Sequence, residues 1–139
     1  MSSGADPSLY NGHNLPHHVA CRCGHAHVLE VFLRHFQTKT EENPSKYSRL
    51  VDAFTNVDSV SNALSYQNSM HMVSLLGHKD CLELLLQYKA KHLPNGMHMF
   101  PAMLATFKMH IDCLKVLLRE IKTGAAGPEV CPFLHNLLL

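Results

Sequence analysis

The sequence has no tryptophan, few aromatic residues and, at 17%, few charged ones. Its net charge is +1 with neutral histidines. No basic stripe is present to recruit nucleic acid or an anionic membrane surface, so neither is an expected partner. Long apolar runs are missing as well. LELLL at 82–86 and LHNLLL at 134–139 fall far short of the roughly 20 residues that cross a bilayer. The opening MSSGADPSLYNG has no basic and no apolar region, so no signal peptide is expected. G-x-S-x-G, the Walker loop, G-x-G-x-x-G and H-E-x-x-H are all absent. The chain is therefore not expected to be an enzyme, and neither catalytic residue nor cofactor is assigned.

Five cysteines are present: Cys21, Cys23, Cys81, Cys113 and Cys131. The number is odd and three of them fall in apolar helical patterns, which argues against a disulfide framework. Reduced thiols in the cytoplasm and/or nucleus are the simpler expectation. Cys81 and Cys113 are read as small core residues rather than nucleophiles.

Histidine and methionine are abundant, with 12 and 7 copies. Such a histidine content predicts lability to acid, and the small net charge predicts low solubility near neutrality. The methionines read as adaptable core filler, with a soft-metal role for Met97, His98 and Met99 the minor alternative. Four histidines and two cysteines crowd between His17 and His27, in LPHHVACRCGHAHVLEVF at 15–32. Zinc takes about four converging N, S or O ligands, and structural sites favour C-x2-4-C paired with a second pair. A single C-x-C is not that spacing. Cys23, His25 and His27 would make at best a weak open site from one turn.

A second pattern accounts for more of these residues. GHKDCLELLL begins at Gly77 and MHIDCLKVLL at Met109; GHAHVLEVFL, from Gly24, fits the same frame. Cys81 and Cys113 lie 32 residues apart, a period typical of repeat proteins. Val28, Leu29, Phe32 and Leu33 form one helical stripe, matched by Cys81, Leu82, Leu85 and Leu86 and by Cys113, Leu114, Leu117 and Leu118. Pro16 and Pro101 suit first helical turns. Asn11-Gly12 and Asn95-Gly96 mark tight turns.

These units resemble ankyrin repeats, whose unit of about 33 residues is a hairpin turn followed by two helices. The family's T-P-L-H is matched in part by Leu15-Pro16-His17-His18, Asn68-Ser69-Met70-His71 and Phe100-Pro101-Ala102-Met103, with a fourth start at Pro132-Phe133-Leu134-His135. Its G-H is matched by Gly24-His25, Gly77-His78 and Met109-His110. Gly4-Ala5-Asp6 resembles the close of a preceding unit. The resemblance covers 4–36 and 66–139 and implies an all-α, ankyrin-like solenoid with one long insertion. The chain divides into 1–36, a partial repeat end and the first repeat; 37–66, an insertion or a degenerate repeat; and 67–139, the second and third repeats with a truncated fourth. The first two units lie 53 residues apart, His25 to His78, which is the reason for the insertion. Within it, Ser45 would cap a short helix carrying Tyr47, Leu50, Val51 and Phe54, with Val57, Val60 and Leu64 following.

Two departures carry expectations. The opening threonine is missing from every unit, so helix starts should be less well tied. Met109 stands where the turn calls for glycine. Function follows from the resemblance: a non-catalytic scaffold or adaptor that binds another protein. Expected fingertip contacts are Tyr10, His13, Lys91, His92, Met97 and His98. Expected first-helix contacts are Arg22, Cys23, Leu75, Leu76, Phe107 and Lys108. The alternatives are a truncated decoy for a longer ankyrin protein or its partner, and a small zinc domain. The apolar end Leu137-Leu138-Leu139 offers a route to self-association.

Overall fold

The computed structural model describes residues 15–47, 50–55 and 67–122. Among them every regular element is helical: α1 (Pro16–Cys23), α2 (Ala26–Glu42), α3 (Pro44–Tyr47), a 3-10 turn (Leu50–Asp52), α4 (Ser69–Leu76), α5 (Lys79–Gln87), α6 (Pro101–Phe107) and α7 (Ile111–Lys122). No described helix is long and apolar enough to cross a membrane.

The helices form three pairs, α1/α2, α4/α5 and α6/α7, each packed on itself. The first helices touch in the order α1, α4, α6, and the second in the order α2, α5, α7. Two rows result, with one core between and within them. Leu29, Leu33 and Phe36 of α2 meet Cys81, Leu82 and Leu85 of α5 and Cys113, Val116, Leu117 and Ile121 of α7 in that cluster; the first helices add Ala20, Cys21, Met70, Val73, Ala102 and Ala105. Burying such side chains is the main favourable term in folding.

The expected α2 stripe is corrected at one position. Val28 is exposed and Phe32 only half-buried, and the inward face runs Leu29, Leu33, Phe36. Cys81 and Cys113, which share Val28's register, are buried because a preceding helix pair lies over them.

Each pair turns in the same way. The backbone N–H of His25 donates to Ala20, that of His78 to Val73 and that of His110 to Ala105, at 2.9–3.0 Å. The residue before each histidine is left-handed: Gly24 (φ 73°), Gly77 (φ 78°) and Met109 (φ 59°). Glycine adopts this conformation freely; a side chain is strained there. Pro16 and Pro101 occupy the first turns of α1 and α6, after Leu15 and Phe100 in extended backbone. Asn68 replaces the missing threonine at α4, its Oδ1 accepting from the His71 N–H at 3.2 Å.

The 37–66 segment differs from expectation at its start. α2 runs through the 36/37 boundary to Glu42, and only then does Pro44 open the short α3. Ser45 does not cap a longer helix; its hydroxyl donates to Asn43 Oδ1 at 2.9 Å. The segment is tied into the fold by Asp52, whose Oδ1 accepts the Lys91 N–H at 2.8 Å. Thr55 N–H donates to the Gln67 carbonyl at 2.7 Å. Val57, Val60 and Leu64 lie outside the described residues, as does the fourth repeat start at 132–135.

The turns generate a paired prediction. Met109→Gly should stabilise the chain by about 1 kcal/mol in urea unfolding, because it relieves a left-handed side chain. Gly77→Ala should cost about 2 kcal/mol, since its new Cβ is strained and meets the His110 ring at 2.7 Å. Destabilisation by Met109→Gly would mean that the methionine contributes more by packing than it loses in strain.

Candidate protein-binding surface

Of the twelve expected contact residues, ten are described; Tyr10 and His13 lie outside the described residues. Six sit at corresponding positions where the first helices end: Arg22 and Cys23 on α1, Leu75 and Leu76 on α4, Phe107 on α6 and Lys108 just after it. Because α1, α4 and α6 are neighbours, these positions form one strip. Arg22, Cys23, Leu76, Phe107 and Lys108 are exposed, and Leu75 is half-buried. Phe107 is 73% exposed, with the Lys108 ammonium 5.7 Å from its ring centroid. A large exposed aromatic beside a cation is a common interface anchor.

The other expected contacts fall in the loop between α5 and α6. Lys91, Met97 and His98 are exposed there. His92 is not: it is 4% exposed, and burial pulls its pKa down to about 4. Its ring points into the fold, so it is no contact residue in this conformation. Asn95 organises the loop, its Oδ1 accepting the N–H groups of Met97 and Met99 at 2.9 and 3.0 Å. The left-handed residue of this turn is His98 (φ 61°) rather than Gly96.

Two buried histidines, His18 and His71, tie helix starts to distant loops. Leu15 N–H donates to His18 Nδ1 at 3.0 Å, and His18 Nε2–H donates to the Ala53 carbonyl at 2.7 Å. Asn68 N–H and the Leu93 carbonyl bracket His71 likewise, at 3.0 and 2.6 Å. Only the neutral ring protonated on Nε2 satisfies both bonds. Burial accordingly lowers the pKa of His18 and His71 to about 4. His17 is fully buried between His18 and Phe36, with ring centroids at 4.4 and 4.9 Å. Neither of its nitrogens has a hydrogen-bond partner; burial and then the neighbouring His18 hold its pKa well below the usual value.

Two histidines missed as structural residues bind the pairs together. His78 Nε2–H donates to the Arg22 carbonyl at 3.1 Å, and His110 Nε2–H to the Leu75 carbonyl at 3.0 Å. The repeated G-H dipeptide was their sequence signal.

The geometry offers little to catalysis or to metal. Burial raises the Cys21 thiol to about 12 and pushes Cys81 and Cys113 upward as well; such thiols are poor nucleophiles. Cys21, Cys23, Cys81 and Cys113 are free. Cys23, His25 and His27 are exposed, and among the described residues no three His, Cys, Asp or Glu side chains are grouped to hold a metal ion.

The buried rings set a pH response. His18 and His71 have folded pKa values below the ordinary 6.5. Their contribution is therefore complete above about pH 6.5 and is lost as pH falls toward 4. Urea midpoints should fall through that window, at up to about 1.4 kcal/mol per pH unit for each ring, and His71→Gln should flatten the slope. A midpoint constant from pH 7 to 4.5 would rule this out. No protein-family model matches the chain, and no curated protein matches it.

Proposed function

We propose that this chain is a non-catalytic scaffold, built of ankyrin-like repeats, that binds a protein partner along the strip where its first helices end. The observation that carries the reading is the outward placement of Leu76 and Phe107, which lie among the last two residues before the turns of neighbouring helix pairs. Neither side chain is needed for the core, and leaving them in water is unfavourable unless another surface covers them. Lys108 and Arg22 supply the polar border that such interfaces have. The buried, proton-retaining thiols favour a binding role over a nucleophilic one. A cytoplasmic or nuclear setting fits the four cysteines that are free among the described residues.

A photo-crosslinking residue at position 107 tests the reading inside cells, with the exposed Gln37 of α2 as the control position. A discrete crosslinked partner is expected from 107 and not from 37. Phe107→Asp should lower recovery of that partner at least tenfold, about 1.4 kcal/mol or more, and leave the melting temperature unchanged. Equal crosslinking from both positions would sink the proposed strip.

A further inference from the structure

The three helix pairs do not end alike. Each of the second and third pairs turns one face toward the pair before it, and the same positions recur in both. Met72 and Leu104 lie on that face, followed by Cys81 and Cys113, then Leu84 and Val116. All are buried or half-buried. In the first pair the corresponding residues are Val19, Val28 and Val31, and each is about half exposed, at 48%, 47% and 52%. The histidine of the turn follows the same rule. His78 and His110 each reach a carbonyl of the preceding pair, whereas His25 is exposed.

We propose that the α1/α2 end face is an unfilled stacking surface that takes a glycine-turned helix pair of a repeat protein other than this chain. The argument is continuity with two interfaces already in the molecule. At both, the incoming histidine ring sits against a glycine: a Cβ on Gly24 would lie 2.8 Å from His78, and one on Gly77 2.7 Å from His110. The occupant must therefore present a left-handed glycine with a free carbonyl two residues before it, beside an apolar face for the three valines. The turn of the last described pair does not meet that requirement. Met109 holds the left-handed position there, 78% exposed, and so carries the Cβ that at Gly24 and Gly77 would lie within 2.8 Å of the incoming ring. Among the described residues, head-to-tail stacking of one copy's α1/α2 face on another's α6/α7 turn is therefore opposed, and the occupant proposed is a different chain. This face is distinct from the strip that carries Phe107.

The test titrates a designed array of three ankyrin-type repeats, uncapped and with glycine in its last turn, into the isotope-labelled full chain. Amide shifts at Val19, His25, Val28 and Val31 should change and saturate at micromolar array. Val28→Asp and, independently, Val31→Glu should weaken binding at least tenfold; both positions are exposed, so both variants should keep the wild-type melt. An array with methionine in place of its last glycine should not bind. Phe107→Asp should bind as well as wild type. Absence of saturable binding would overturn the proposal, and so would equal binding by the charged variants or by the methionine array. Self-association of the wild-type chain through the valines would overturn it too, by making a second copy the occupant.

Discussion

The stack depends on a steric constraint at the turn inside each helix pair. The chain must reverse within two residues, so one residue is left-handed, and the histidine after it is carried outward against the pair before. That ring fits only where the earlier left-handed residue has no Cβ. Gly24 and Gly77 thus serve twice, once for their own backbone and once as seats for His78 and His110. The hydrogen bonds to Arg22 and Leu75 then set how the first helices lie side by side. That spacing lets the small residues Ala20, Ala102 and Ala105 pack closely enough to exclude water.

Histidine replaces the hydroxyl that the helix starts lack. His18 and His71 each accept a bond from the residue before their own helix and donate one to a distant loop. One ring therefore does the work of a cap and a tether. The third pair has Met103 at this position and gains no such tether. The cost is chemical. A ring that must stay neutral to make both bonds is tied to the pH of its surroundings, and His17 adds a buried ring with no polar partner at all.

The sequence made much of this legible because its signals were local. The G-H turns, the prolines at first helical turns and the apolar spacing after each turn depend on residues close in the chain, and they placed the three helix pairs correctly. The missing glycine at Met109 was legible as strain in the same way. What failed depended on distance along the chain. Val28 carries the apolar character of its register partners, but burial there requires a neighbouring pair, which periodicity does not reveal. His92 was expected at a fingertip because the repeat resemblance places its loop there, yet the tertiary fold draws it inward. Asp52 gave no sign of clamping Lys91, because that bond spans 39 residues. The candidate strip was read from the geometry that the repeat resemblance implies, and five of its six members are exposed.

Repeating structures are stabilised by each unit and by each seam between units. Here the two ends of the described array differ in whether another seam can form. The α1/α2 face keeps the valines and the histidine that a seam uses, and so retains the apolar surface whose burial would stabilise it. The α6/α7 end presents Met109 in the seat, and that residue is strained whether or not anything follows it. A strained residue on an exposed surface stabilises nothing where it stands. On the proposal above, its effect is on what can dock: it opposes the head-to-tail contact between the described pairs of identical chains. On the stacking proposed above, described pairs with one receptive face and one obstructed turn would extend a stack belonging to another chain rather than add to one another head to tail.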